Sequence, residues 1–269
     1  MKASFKDKSK AKASPAPKGF FYVDQANYVI VNPVKEPEKT YLYSDSATSC
    51  IIVIVFGQNA AGDKIVSLSH VDSPDCITSY FTDVLDKYFT GSVSFYAQGA
   101  NPPGNKSAVE NAVALKKNLS VKRKWWADDP QLYLLQGDPR EANRGDFGIN
   151  LINPQKYVVT NQPFGLELLD RDPTGGVQVV FCIMRRKMTP PVQLWDAKVP
   201  FPKDLVDKMV KMAAVYRKDP NDPKTAYTYI INLQDEEVRD TWSSTPDDEA
   251  PWFSDELRQS SCYVRSYRG

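Results

Sequence analysis

The run CIIVIVF, Cys50 to Phe56, restricts the fold more than any other feature of the chain. It is continuously apolar, β-branched and of strand length, and far too short to span a bilayer. A strand with no polar face must be covered on both sides. The segment GQNAAGDK then supplies a turn, and IVSLSH (Ile65 to His70) the pairing strand of a hairpin with a loop longer than two residues. Such a hairpin needs layers of structure above and below it. A chain of 269 residues, 42% of them hydrophobic, has the apolar material to supply them.

The remaining pattern says what those layers are. FFYVD (Phe20 to Asp24), NYVIVN (Asn27 to Asn32) and SVSFYAQ (Ser92 to Gln98) are rich in β-branched and aromatic residues and predict strands. QLYLL, FGINLI, KYVVT, VQVVFCIM and TAYTYIIN predict more. A helix is expected after Ser73, which can cap it, with Pro74 at its first position and Ile77, Phe81, Val84, Leu85 and Tyr88 on one face. A second runs from Asn105 to Leu119, with Val109, Ala112 and Val113 inward, and a third from about Asp204 to Arg217. Strands interleaved with helices, without regular βαβ alternation, predict an α+β fold. Its mixed sheets pack as a sandwich flanked by helices.

No linker divides residues 20–232, so one domain is expected there. Residues 1–19 read as a disordered basic leader and 233–269 as an acidic extension, docked or disordered. Nine acidic residues against one arginine lie between Gln234 and Glu256.

Lys plus Arg is 34 and Asp plus Glu 33, so no excess charge draws the chain to nucleic acid or an anionic membrane. The N-terminal lysines have no apolar stretch behind them, which argues against a secretory signal and for a cytoplasmic protein. VKRKWW (Val121 to Trp126) mixes cations and aromatics as a partner or nucleic acid site would. The neutral net charge favours a solvated loop with anchored tryptophans instead. Four irregularly spaced cysteines without a CxxC pair read as reduced thiols. One histidine leaves too few ligands for a common zinc site, and no metal or cofactor is expected.

The hairpin also brings two reactive residues to one end of the sheet. Cys50 stands just before its first strand and His70 at the end of its second. A thiol is a weak nucleophile until a neighbouring imidazole takes its proton or stabilises the thiolate, and a third group should orient the ring. Ser44, Asp45, Ser46 and Thr48 are available in the preceding loop. By spacing alone the pair does not establish catalysis, because a cysteine beside an apolar run is more often a small core residue.

The stretch SDSATSCIIVIV followed by LSHVDS resembles the signature of the protein N-terminal asparagine amidohydrolases. YVDQANYVIVNP, FGINLINPQKYVV and the helix ending in YRKDPNDP resemble other parts of that family in the same order, so the likeness spans about residues 20–232. The chemoreceptor glutamine deamidase CheD and the cytotoxic necrotising factor toxins resemble the same Cys–His core. The resemblance implies Cys50 as nucleophile and His70 as general base. Ser44, six residues before the cysteine, would orient the ring, as a threonine does in CheD. It also implies Asp45 and Asp72 as contacts to a substrate α-ammonium, although loop aspartates commonly cap turns. The implied substrate is a protein or peptide with N-terminal asparagine, deamidated to aspartate as an N-degron is made. Two other readings remain open: deamidation of an internal glutamine in a partner protein, and a binding protein that keeps the fold without catalysis.

Overall fold

The computed structural model describes residues 2–121 and 126–269. The chain divides into two units, Met1–Leu166 with Leu194–Ala197, and Glu167–Gln193 with Lys198–Gly269. This division differs from the boundaries read from the sequence, and each unit is described by itself.

The first unit runs β1 (Lys2–Lys6), β2 (Phe20–Tyr22), β3 (Asn27–Val31), β4 (Tyr41–Ser44), β5 (Ile51–Gln58) and β6 (Lys64–Val71). Next comes α1 (Pro74–Ser79), continued through a π-helical stretch, Tyr80–Leu85, into α2 (Asp86–Tyr88). Then follow β7 (Thr90–Gly99), α3 (Lys106–Val121), β8 (Gln131–Leu134), β9 (Phe147–Asn150) and β10 (Lys156–Thr160). The second unit carries α4 (Leu168–Arg171) and α5 (Val177–Met184). Trp195–Asp196 form β11, which belongs to the first unit, before α6 (Lys203–Val215), α7 (Asp235–Trp242) and α8 (Phe253–Ser266) of the second.

Two mixed sheets form the first unit, in the orders β1-β10-β9-β4-β2 and β11-β3-β6-β5-β7-β8. The expected α+β architecture of packed sheets with flanking helices is the one observed. β5 explains why. Its even residues Ile52, Ile54 and Phe56 join Val29, Leu68, Leu42 and Ile149 in the core between the sheets. Its odd residues Ile51, Val53 and Val55 join Ile77, Phe81, Ala108 and Leu115 beneath the helices. Ile51 to Val55 are fully buried, so each contributes about 1.5–3 kcal/mol from its own transfer out of water.

β5 and β6 form the expected antiparallel hairpin, with Ile51 opposite Val71 and Ile52 opposite His70. Ser73 caps α1 by accepting from the Cys76 backbone N–H at 3.4 Å, with Pro74 in the first turn. β7 flanks β5 on its other side and ends at Gly99. There φ is +132°, and a Cβ would stand 2.3 Å from the Cys50 carbonyl oxygen, so only glycine lets the two strand ends close.

Some expectations fail for identifiable reasons. α3 lies under the sheet through Ala108, Asn111, Ala112, Leu115 and Leu119, whereas Val109 and Val113, expected inward, are exposed. VQVVFCIM is helix α5, not a strand. Val177, Val180, Phe181 and Met184 are buried at helical spacing, and an apolar run of this length fits either period. TAYTYIIN, also expected as a strand, is a 3₁₀ turn from Tyr227 to Asn232 that packs on α8. The acidic stretch forms α7 and α8, where Val238, Leu257 and Val264 are buried. Within the span read as a leader, Lys2–Lys6 pair in parallel with Lys156–Thr160. Residues 122–125 of VKRKWW lie outside the described residues. Trp126 packs edge-on against Phe95 and donates its indole N–H to the Leu119 carbonyl at 3.2 Å. Among the described residues no helix is long and apolar enough to cross a membrane, and no cluster of three His, Cys, Asp or Glu could hold a metal ion.

Candidate active site

The site forms where β4 of one sheet meets β5 and β6 of the other. Side chains alternate along a strand, so Cys50, two residues before Ile52, shares the Ile52 face. Cys50 accordingly belongs to the core between the sheets. Ile52 is paired directly with His70. Cys50 and His70 are therefore diagonal neighbours on one face, about 7 Å apart at their β-carbons. A thiol and an imidazole leaning toward each other can close that gap. Both are buried, and the Ala100 N–H donates to the Cys50 carbonyl at 2.7 Å, extending the ladder past the strand end.

The opposite sheet supplies the third group. Ser44 ends β4, fully buried, and its Oγ lies 2.8 Å from His70 Nδ1. The Ala26 N–H donates to the His70 carbonyl at 2.8 Å, fixing the backbone beneath the ring. His70 Nε2 is buried with no hydrogen-bond partner among the described residues. One ring nitrogen is thus held by Ser44, and the other is left for a reacting group. Burial pushes the imidazole pKa down from 6.5 to about 4, against the opposing carboxylates of Asp72 and Asp45. The ring is neutral at neutral pH, which suits a proton acceptor.

Asp45 and Asp72 flank this couple and are held in place. Tyr22 Oη, at 2.8 Å, and Ser46 Oγ, at 3.2 Å, both donate to Asp45 Oδ1. Gln25 Nε2 donates to Asp72 Oδ2 at 2.9 Å and Ser73 Oγ to its Oδ1 at 3.1 Å. Ser44, Asp45, Cys50, His70 and Asp72 therefore all lie at the same end of their strands. Tyr22 and Gln25 had no role assigned from the sequence, although both lie in YVDQANYVIVNP. Asn101 and Asn111, bound to the backbone around Cys50, carried no sequence signal at all.

β7 and the loop before β9 wall the site. Gln98, also opposite Ile52, donates through Nε2 to the carbonyls of Asn143, Arg144 and Asp146. The Ala47 N–H donates to the Gly145 carbonyl at 3.1 Å, and Tyr43 Oη to Asp146 Oδ1 at 2.6 Å. These bonds fix the loop that carries Asp45 to Ser49.

No curated protein matches the chain. Residues 10–93, a stretch containing Ser44, Cys50 and His70, match the model of a family described as protein N-terminal asparagine amidohydrolase, hydrolases of an amide bond. On that match, the segment of this chain that builds the candidate site is similar to the protein N-terminal asparagine amidohydrolase family.

Proposed function

We propose that the protein deamidates the side chain of an N-terminal asparagine, in a protein or peptide, to aspartate and ammonia by a thioester mechanism. The observation that carries this reading is the Ser44 Oγ to His70 Nδ1 contact of 2.8 Å, with Nε2 unpartnered on the face that Cys50 shares. With the proton on Nδ1 and donated to Ser44, Nε2 keeps its lone pair for the thiol.

The steps follow from that arrangement. Cys50 Sγ attacks the carboxamide carbon while its proton passes to His70 Nε2, and the C=O electron pair moves onto oxygen. Backbone N–H groups at the start of β5 stabilise the oxyanion. As the intermediate collapses, the C–N bond breaks and Nε2–H protonates the leaving nitrogen, releasing ammonia and leaving a thioester. Water then attacks the thioester, giving a proton to Nε2; as the C–S bond breaks, Nε2–H returns that proton to sulfur, and the acid released ionises to the carboxylate. Since burial disfavours the imidazolium, the resting ring is neutral, and its charge forms only as bonds change. Asp45 and Asp72 receive the substrate α-ammonium, which explains a requirement for a free N-terminus.

The test is ammonia release from a short peptide beginning with asparagine, with a mass gain of about one dalton. Release by the native protein, lost in Cys50→Ala and with an N-acetylated peptide, supports the reading. Equal release by Cys50→Ala overturns the mechanism. Silence on the asparagine peptide with activity on a folded glutamine-containing protein moves the substrate to an internal glutamine.

A further inference from the structure

The chain after β1 is anchored on both sides of a short turn. Before it, Lys2–Lys6 pair with Lys156–Thr160, and the Lys8 N–H donates to Asn161 Oδ1 at 2.6 Å. After it, the Ser14 N–H donates to the Pro163 carbonyl at 3.2 Å and the Gly165 N–H to the Ser14 carbonyl at 3.0 Å. Residues 8–11 form the turn between these anchors, closed by the Ala11 N–H on the Lys8 carbonyl at 2.7 Å.

That turn holds the loop that walls the site. Asn143 Nδ2 donates to the carbonyls of Lys8, at 2.7 Å, and Ala11, at 3.1 Å. Asn161 is buried, and its Nδ2 donates to the Ala142 carbonyl at 3.1 Å. Ala142 and Asn143 each have a φ of +54°, in the left-handed region that asparagine tolerates better than alanine. Two such residues in succession persist only where the contacts around them over-determine the backbone.

The same loop reaches the nucleophile. The Asn143 carbonyl accepts from Gln98 Nε2 at 3.0 Å, and Gln98 lies opposite Ile52 on β5. The Gly145 carbonyl accepts from the Ala47 N–H at 3.1 Å, three residues before Cys50. Two residues of backbone and one hydrogen bond thus separate the Asn143 amide from the loop of the nucleophile. Since the turn at residues 8–11 has anchors of its own on both sides, it is the fixed partner and the wall is what it holds.

We propose that Asn143 and Asn161 are positioning residues of the Cys50 site, fastening its wall to the turn at residues 8–11. The inference rests on the amidohydrolase reading and deepens it. Both act through Gly145 and Gln98 on the placement of the nucleophile, so their loss slows bond-making more than it weakens substrate binding.

The test compares full-length variants on the asparagine peptide. Asn143→Asp keeps the size and the tolerance of positive φ but sets an oxygen against the Lys8 and Ala11 carbonyls. Asn161→Asp keeps an acceptor for Lys8 and loses the donor to Ala142. Each should lower kcat about 10-fold and change KM less than about 2-fold, while the Ala47 N–H exchanges with solvent about 10-fold faster. Asn143→Gly removes the same bonds and relieves the backbone, so it should act alike even if Asn143→Asp fails to fold. Gln162→Ala loosens the N-terminal segment away from the wall, at the Lys12 carbonyl 3.1 Å from Gln162 Nε2, and should leave kcat unchanged. Native kcat with native Ala47 exchange in Asn143→Gly overturns the proposal, as does an equal loss of kcat in Gln162→Ala. A native protein inactive on the peptide counts against the amidohydrolase reading instead, and Ala47 exchange alone then decides whether the turn fastens the wall.

Discussion

His70 is the chain's one histidine, so its titration can be followed without resonance assignment. Burial holds its pKa near 4 against 6.5 for an exposed ring. That difference, at about 1.4 kcal/mol per pH unit, amounts to roughly 3 kcal/mol of stability. Because the folded value is the lower one, the contribution is whole above about pH 6.5. It is lost as the pH falls toward 4, where the unfolded chain takes up the proton first. Between these limits the slope approaches about 1.3 kcal/mol per pH unit. The perturbation is His70→Gln, which cannot titrate, and the assay is urea unfolding of both proteins at steps from about pH 7.5 to about pH 4.5. Carboxylates titrate in both and largely cancel in the difference. The native protein should lose about 2–3 kcal/mol relative to the variant across that window, and its imidazole ¹⁵N resonances should stay those of a neutral ring down to about pH 5. Parallel pH profiles, or a ring that protonates at 6.5 or above, would refute the argument that burial outweighs Asp45 and Asp72.

Asp72→Asn removes a charge that raises the His70 pKa, so the ring should titrate still lower. The same change should raise KM for an N-terminal asparagine peptide about 10-fold with less effect on kcat, the mark of lost α-ammonium binding. Ser44→Ala leaves Nδ1 without its partner and should lower kcat about 10-fold, at about 1 kcal/mol of stability in urea unfolding. Unchanged kcat would remove Ser44 from the site. Gly99→Ala, with φ at +132° and the Cys50 carbonyl in the way, should cost about 3 kcal/mol or more and lower Tm, and a neutral effect would contradict the strand closure described.

The hairpin was legible because its signal is local. An apolar run with no polar face, a turn and a second strand fix both the buried position of β5 and the end of the hairpin at which Cys50 and His70 stand. The Ser73–Pro74 helix start was legible for the same reason. What the pattern could not show was which face of α3 is inward, since Ala108, Asn111 and Leu115 make a weaker apolar stripe than the exposed valines beside them. Nor could it separate helix from strand in VQVVFCIM, where the buried positions fit the helical period but the composition favours a strand. At the site, Ser44 was reached through a family resemblance, and the structure adds its 2.8 Å contact with the ring. The anchoring of Asp45 by Tyr22 and Asp72 by Gln25 depends on pairings 23 and 47 residues apart, which leave no trace in a sequence window.

The two sheets differ in how far along the chain their strands must search for partners. β5, β6 and β7 are consecutive, so the strand ends bearing Cys50 and His70 close over short loops. β4, which carries Ser44, pairs with β9, and the Tyr43–Asp146 bond beside it spans 103 residues. Loop-closure entropy and contact order favour the local meander first and the distant pairing later. Refolding should therefore bring the thiol and the imidazole together before the serine arrives, and a polypeptide still emerging from the ribosome would hold the couple without its orienting partner until residues 147–150 are made. On that account the second sheet acts as a timer, delaying a fully oriented imidazole until the rest of the unit has closed over it.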